Sequence, residues 1–243
     1  MKKQDILKFF ISVAIIILFS EKNFSQTEND SVVVKNKYGI RIGLDFSKQI
    51  RMLTENYKGL SLYGDVKIKE RLFIVSELGS DEKELRTDNL RSKFSGNYIK
   101  AGLNYNLYNN LPGLNNEIYV GFRFATSKFK SEISEYIIYN KDRFWSQDPI
   151  FDNIINKGLN ANWVELIIGI NSELVNNLFM GLSLRLNRML NQKKPENFTN
   201  LYIPGFNKVT ENNNFGTGLT YSCLLYTSPS PRDQRGSGMA ASA

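Results

Sequence analysis

Hydrophobic and polar residues alternate with a period of two along eight stretches of the chain, which predicts eight β-strands with two unlike faces. The apolar face, built from side chains such as Ile40, Ile42 and Leu44, carries no charged residue. The opposite face carries nine charged residues and most of the glycines. The stretches span residues 38–47, 59–68, 72–79, 98–107, 118–125, 163–171, 180–187 and 215–221.

A soluble sheet buries its apolar face, whereas a transmembrane barrel turns that face to lipid. The second arrangement is favoured because interior glycine weakens a solvent-exposed strand, and because apolar runs of about 9–11 residues suit a tilted membrane-spanning strand. Connections after odd strands are long and those after even strands short, as in outer-membrane barrels with extracellular loops. We therefore expect an all-β, eight-stranded antiparallel up-and-down transmembrane β-barrel.

The nine charged residues of the polar face are expected to line the barrel lumen as a structural charge network. An eight-stranded barrel is only wide enough for its own side chains. Buried charges need partners, because an unpaired one costs about 3–5 kcal/mol, so the network is interpreted as a self-neutralising plug. An ion pathway is the alternative. The residues are Arg41, Asp45, Asp65, Lys67, Glu77, Lys100, Arg123, Glu165 and Arg185.

Residues 1–26 have the pattern of a secretory signal peptide. Lys2, Lys3 and Lys8 precede the apolar run Phe9–Phe19, which is too short to span a bilayer as a helix. An uncleaved membrane anchor is the alternative. Residues 27–36 are then a periplasmic N-terminal segment, and residues 37–222 form the barrel.

Residues 223–243 differ in character from the rest of the chain. The string Cys223–Asp233 resembles a reading-frame translation of a sequencing-library adapter. We expect residues 223–243 to be a non-native, adapter-derived tail, and the eighth strand to be truncated after Ser222. A flexible Pro/Ser tail is the alternative interpretation.

Composition excludes several classes of function. The chain has no histidine and one cysteine, which excludes zinc clusters, disulfide frameworks and Ser–His or Cys–His nucleophile pairs within it. Its net charge is +7, but no Lys/Arg-rich run is interleaved with aromatic residues, so no nucleic acid is expected. We expect no catalytic residue, cofactor or metal. The expected partners are outer-membrane lipid, the barrel-assembly machinery and an extracellular ligand that the sequence does not identify.

The third long connection is the most unusual loop. Its aromatic residues are candidates for surface recognition, and packing against the barrel rim is the alternative. A short helix is predicted after them, with Asp148 as N-cap, Pro149 in the first turn and Gly158 as its stop. The recognition candidates are Tyr136, Tyr139, Phe144 and Trp145.

From about Lys37 to Ser222 the chain resembles an uncharacterised family of Gram-negative outer-membrane-type barrels, domain of unknown function 6048. The resemblance implies an exported barrel and supplies no activity. We expect a non-catalytic outer-membrane protein serving surface recognition or envelope integrity. The alternatives are a narrow channel for small solutes, or a soluble periplasmic barrel with an apolar ligand inside. The resemblance rests on residues 38–48, 77–79, 163–166 with Gly169, 181–185 and 202–205.

Overall fold

The computed structural model describes residues 39–87, 89–109, 116–137, 149–195, 198–210 and 213–227. The predicted signal peptide and the segment 27–36 lie outside these residues, as does most of the predicted tail.

Eight long strands form a closed antiparallel barrel in which each strand pairs with its neighbours along the chain. The ring is closed by the first and last strands, with Ile40 opposite Thr227 and Asp45 opposite Ser222. The predicted eight-stranded up-and-down barrel is confirmed. Its strands are β1 (Ile40–Asp45), β2 (Tyr57–Lys69), β3 (Leu72–Thr87), β4 (Leu90–Asn106), β5 (Glu117–Tyr136), β6 (Ile154–Val175), β7 (Leu178–Gln192) and β10 (Phe215–Thr227).

Three smaller elements lie between barrel strands. Helix α1 (Phe46–Thr54) follows β1, and a short hairpin of β8 (Tyr202–Ile203) and β9 (Asn207–Lys208) lies between β7 and β10. We call the end of the barrel that carries them the loop end, and the end with the turn at residues 70–71 the turn end. None of the helices in the described ranges has the length and hydropathy needed to cross a membrane.

The apolar face of the strands points outward, as alternation predicts. Phe122 and Phe124 of β5 are 56% and 50% exposed, whereas Arg123 between them is 1% exposed. Ile40, Ile42 and Leu44 are also exposed, which excludes the alternative in which these side chains fill a soluble barrel. The outward apolar residues of all eight strands form a continuous ring, which we call the apolar belt.

Several strands are longer than the apolar alternation predicted. The long connection expected after the third strand is instead the upper part of the β3–β4 hairpin, which is paired up to Thr87 opposite Leu90. Likewise, β5 and β6 reach 20 and 22 residues. These extensions carry polar residues outside as well as inside, so alternation of hydrophobicity did not reveal them.

The two predictions about local structure near the loops are wrong. Alternation places Phe46 and Ser47 in the first strand, but they begin helix α1, because the Asp45 side chain accepts a hydrogen bond from the Ser47 amide (3.0 Å) and caps the helix. The predicted helix up to Gly158 is absent from its described part: β6 begins at Ile154. Gly158 has φ +69° and lies in a strand irregularity rather than at a helix end.

The last strand extends past its predicted end. β10 pairs with β1 as far as Thr227, five residues beyond Ser222. Inward Leu224 is buried and outward Leu225 is exposed, so this segment continues the alternation of the strand. The strand of this chain therefore continues beyond Ser222. The truncation of the native strand at Ser222 and the adapter origin of residues 223–243 both stay predictions.

Candidate functional site

The lumen is filled by three layers of side chains, of which the layer at the turn end is aromatic with one buried cation. Arg41 pairs with Asp65 (Nε–Oδ1 2.7 Å) and with Glu117 (Nη1–Oε1 2.7 Å). The Arg41 guanidinium also lies 4.6 Å from the centroid of the Phe73 ring and 5.5 Å from that of Phe179. This layer seals the turn end with a neutralised arginine stacked between aromatic rings.

The middle layer is a network of buried charges. Glu77 accepts a hydrogen bond from Arg123 (3.1 Å) and forms an ion pair with Arg185 (2.9 Å), and its other oxygen lies 3.7 Å from the Lys100 ammonium. Lys100 in turn pairs with Glu165 at 2.9 Å. All five side chains are at most 8% exposed. Three cations facing two carboxylates, each within ion-pair distance of another, satisfy the requirement that buried charges be paired.

Neutral donors add further hydrogen bonds to this network. Trp163 Nε1 donates to Glu165 (2.8 Å), and Tyr98 and Ser61 hydroxyls donate to Glu77 (3.2 and 3.1 Å). A polar cavity of about 10 Å³ lies beside Arg123 and Arg185. A cavity of this size holds about one water molecule, so the layer leaves no passage for a solute.

The layer at the loop end is apolar and contains the β8–β9 hairpin. Tyr202, Ile203 and Phe206 of the hairpin are all at most 2% exposed. Phe206 packs edge-on against Trp163, with ring centroids 5.7 Å apart, and Tyr202 lies 6.4 Å from the Phe94 ring. The connection between β7 and β10 therefore folds back into the barrel and fills its upper lumen.

The hairpin turns at Pro204 and Gly205. Phe206 donates its amide to the Ile203 carbonyl (3.0 Å), and Gly205 has φ +81°. Proline followed by a positive-φ glycine is typical of a type II turn. A Cβ on Gly205 would lie 2.5 Å from the ring of Tyr98, so the turn also needs glycine to approach the barrel wall.

A single buried carboxylate, Asp81 of β3, joins the hairpin to the wall and to helix α1. Its oxygens accept from Tyr57 (2.6 Å) on β2 and from the Gly205 amide (2.9 Å) and Tyr202 hydroxyl (3.3 Å) of the hairpin. They also pair with the ammonium of Lys48, whose side chain extends from α1 into the lumen. We call Asp81 and these four donors the Asp81 cluster.

A second attachment of α1 lies at the rim. Arg51 donates to Asn207 of the hairpin (2.8 Å), and Glu55, just after the helix, pairs with Lys83 of β3. The hydrogen bond from Lys83 holds the pKa of the Glu55 carboxyl below its usual value, with a smaller contribution from Arg51. The helix is thus attached to the barrel both in the lumen and at the rim.

Eight of the nine predicted lumen charges lie buried in these layers. The exception is Lys67, which is half-buried and forms no ion pair within the described ranges. Of the recognition candidates, Tyr136 ends β5 and packs edge-on against Phe198 (5.6 Å). Tyr139, Phe144 and Trp145 lie outside the described residues.

Sequence reasoning missed three ionised lumen residues and the hairpin. Lys48, Asp81 and Glu117 are buried and ion-paired, but each lies outside or at the end of an apolar alternation. The Pro-Gly dipeptide is the signal that would have revealed the hairpin turn. No cluster of three or more His, Cys, Asp or Glu side chains suited to a metal occurs in the described parts of the chain.

Comparison of the sequence with known families gives one match over nearly the whole chain. The profile of the domain of unknown function DUF6048 matches residues 6–230. The chain belongs to this family. No curated protein sequence matches this DUF6048 chain.

Solved structures with similar strand arrangements include several surface and outer-membrane proteins. One is Ail, the attachment invasion locus protein of Yersinia pestis (7% identity, TM-score 0.40, covering 79% of this chain and 99% of that one). Neisserial surface protein A has 9% identity and a TM-score of 0.39, covering 79% and 94%. A major outer membrane protein from Thermus thermophilus has 12% identity and a TM-score of 0.40, covering 79% and 98%. The barrel fold of this chain is established by the pairing of its own strands.

Proposed function

We propose that this protein is a non-catalytic outer-membrane barrel with a sealed lumen, which presents its loop end to the outside for surface recognition or envelope integrity. The apolar belt is the observation that carries the proposal. A closed ring of strands leaves no unpaired backbone edge, and an outward surface of exposed Ile, Leu, Val and Phe is suited to hydrocarbon. The long connections and α1 then face outward from the cell, and the short turns face the periplasm.

The filled lumen supports a sealed barrel over a channel. The aromatic layer around Arg41, the charge network around Glu77 and the inserted hairpin follow one another along the barrel axis. A cavity of about 10 Å³ in the middle layer has no room for a solute. A non-catalytic role is consistent with the engagement of Glu77 and Glu165 in ion pairs with arginine and lysine.

The rim next to β5 and β6 is the proposed recognition surface. Phe151 is 76% exposed and Ile150 is 38% exposed. Ile150 forms a backbone bridge with Tyr136, one of the predicted recognition residues. These two adjacent apolar side chains lie on the rim and apart from the belt, which supports a contact surface for a partner at this position.

Planar-bilayer recording of the refolded full chain tests the sealed lumen. We expect no steady conductance from the wild type, and none from Arg123→Ala, because the aromatic layer and the hairpin still close the barrel. Loss of heat-modifiable migration would identify a variant that has not folded, and only folded variants are scored. A stable unitary current from the wild type would refute the seal and support the narrow-channel alternative.

Surface labelling of intact cells tests the orientation of the rim. In a Cys223→Ser background, we expect Phe151→Cys to react with a membrane-impermeant maleimide, whereas Asn177→Cys in a turn-end connection reacts only after lysis. The opposite pattern would refute the orientation. In cells lacking the gene, sensitivity to bile salts that is restored by the wild type but not by Phe151→Ser would support a role of this rim in envelope integrity.

A further inference from the structure

We propose that a groove on the outer wall of the barrel, between β5 and β6, binds the phosphate of an outer-leaflet lipid headgroup. The inference rests on the membrane placement proposed above and assigns a ligand class to one position on the surface. The groove has a volume of about 550 Å³. Its polar lining comes from Ser95 of β4, Lys128 and Lys130 of β5, and Lys157 and Asn160 of β6, while Phe129 and Leu159 form the apolar part of its wall.

The groove exists because β6 carries an extra residue at this point. Phe129 pairs with Leu159 and Ser131 with Asn156, so Lys157 and Gly158 together lie opposite Lys130. This is a β-bulge, and Gly158 adopts φ +69°, the left-handed conformation that glycine tolerates. Nothing lies within 4 Å of the position that a Gly158 Cβ would occupy, so the bulge leaves open space at its glycine.

The groove lies directly above the apolar belt. Phe124 is the last outward apolar residue on this part of β5, and Lys128 follows it four residues later on the same face. At about 3.3 Å per residue and a tilt of about 40°, four residues raise the chain by about 10 Å along the barrel axis. This height corresponds to the headgroup layer of a membrane whose acyl chains surround Phe122 and Phe124.

The charges around the groove leave two lysines for a ligand. Lys130 pairs with Glu132 (Nζ–Oε1 2.6 Å), and the nearby acid Glu82 pairs with Lys93 (3.1 Å). Lys128 and Lys157 form no ion pair within the described residues, although the Lys157 ammonium attracts the Glu132 carboxylate over a longer distance, and both lysine side chains are exposed. These two ammonium groups, beside the neutral hydrogen-bonding groups of Ser95 and Asn160, suit a phosphate.

A lipid is favoured over a soluble anion because the groove is continuous with the belt. A phosphate held by Lys128 and Lys157 places the attached acyl chains against the exposed rings of Phe122 and Phe124 directly below. A soluble phosphate would gain only the exposed lysines, which are weak partners on their own in water and salt.

The test compares two neutralised lysines with a matched lysine on the opposite side of the barrel. Lys58 of β2 is exposed and lies directly above outward Leu60, which is 57% exposed, so it stands at the upper edge of the belt away from β6. The full chain is refolded in a non-ionic detergent. The dissociation constant for diphosphoryl lipid A, for its dephosphorylated form and for phosphatidylglycerol is measured by native mass spectrometry for each variant.

We expect Lys128→Gln/Lys157→Gln to weaken binding of diphosphoryl lipid A by about tenfold, equivalent to about 1.4 kcal/mol, and Lys58→Gln to leave it unchanged. The dephosphorylated form should bind the wild type at least tenfold more weakly. If phosphatidylglycerol also binds the wild type, and the double variant weakens this binding to the same extent, the result supports a general site for lipid phosphates. Equal effects of Lys58→Gln and the double variant, or equal binding of the dephosphorylated lipid, would overturn the proposal.

Insertion into vesicles separates failure of this inference from failure of the membrane placement. Each variant is incorporated into phosphatidylcholine vesicles and checked for heat-modifiable migration and flotation. A wild type that remains soluble and does not float refutes the proposed function. A wild type and a double variant that both insert but bind diphosphoryl lipid A equally overturn the groove alone.

Discussion

Asp81→Ala should release the hairpin from the lumen. The carboxylate accepts from Tyr57, Tyr202, the Gly205 amide and the Lys48 ammonium, and Lys48 is only 7% exposed. Removing one partner of a buried ion pair costs about 3–5 kcal/mol, because the other charge stays buried without its counter-charge. A loss of about 3 kcal/mol from the seated hairpin raises the population of the released form about a hundredfold.

A cysteine in the hairpin reports this population directly. Ile203 is fully buried, so Ile203→Cys in a Cys223→Ser background should react slowly with a maleimide in the folded barrel. Adding Asp81→Ala should increase the labelling rate by about a hundredfold when opening precedes reaction. Adding Lys48→Met to Asp81→Ala should recover part of the effect, since no unpaired charge then remains.

Glu82→Ala is the matched control for this experiment. It removes the same charge from the next residue, but the Glu82 side chain points outward and pairs with Lys93 on the surface. We expect the labelling rate at residue 203 to be unchanged in this variant. Labelling of Asp81→Ala at the wild-type rate, in a barrel that still migrates as folded, would refute the role of the Asp81 cluster.

Three further predictions follow from the same contacts. Glu77→Gln should lower the free energy of unfolding in urea by about 3–5 kcal/mol, because it leaves Arg123 and Arg185 facing each other in the lumen. Glu84→Gln, at a partly exposed carboxylate on the surface, should change the free energy of unfolding by less than about 1 kcal/mol, and equal effects of the two substitutions would refute the network. Gly205→Ala should raise maleimide labelling at residue 203, since φ is +81° and the new Cβ would meet the Tyr98 ring, and an unchanged rate would contradict the seated turn. At pH values above the ordinary carboxyl pKa, the Glu55–Lys83 ion pair should stabilise the attachment of α1, and this contribution should be lost as the pH falls through the lowered pKa of Glu55. Proteolytic cleavage after α1 should therefore increase in acid for the wild type, whereas cleavage of Lys83→Met should show no such pH dependence.

Alternation of hydrophobicity predicts the parts of the fold that form the apolar belt. Phe122, Arg123 and Phe124 face outward, inward and outward because a strand reverses the side-chain direction at every residue. The same rule placed Glu77 and Arg185 in the lumen, where opposite charges had to meet because nothing else there could neutralise them. Which carboxylate pairs with which cation depends on strand register, which alternation leaves undefined.

Above the belt this signal disappears, because both faces of a strand become polar. The sequence therefore does not indicate the role of Asp81, although this residue joins the barrel wall, helix α1 and the hairpin. Lys48 enters the lumen only because Asp45 caps a helix immediately after β1, and a strand pattern that continues into Phe46 conceals that cap. The Pro204–Gly205 turn is readable as a turn, but its insertion between Trp163 and Tyr98 depends on tertiary packing.

Collision accessibility of two spin labels tests the central claim, that the apolar belt faces lipid, most directly. In a Cys223→Ser background, nitroxides are attached to Leu184→Cys in the belt, where the native side chain is 64% exposed, and to Glu84→Cys on the β3 extension above it. After reconstitution in vesicles, we expect the label at residue 184 to collide with oxygen and not with a water-soluble nickel complex, and the label at residue 84 to show the reverse. Equal access of the nickel complex to both labels in a folded barrel would contradict the membrane assignment.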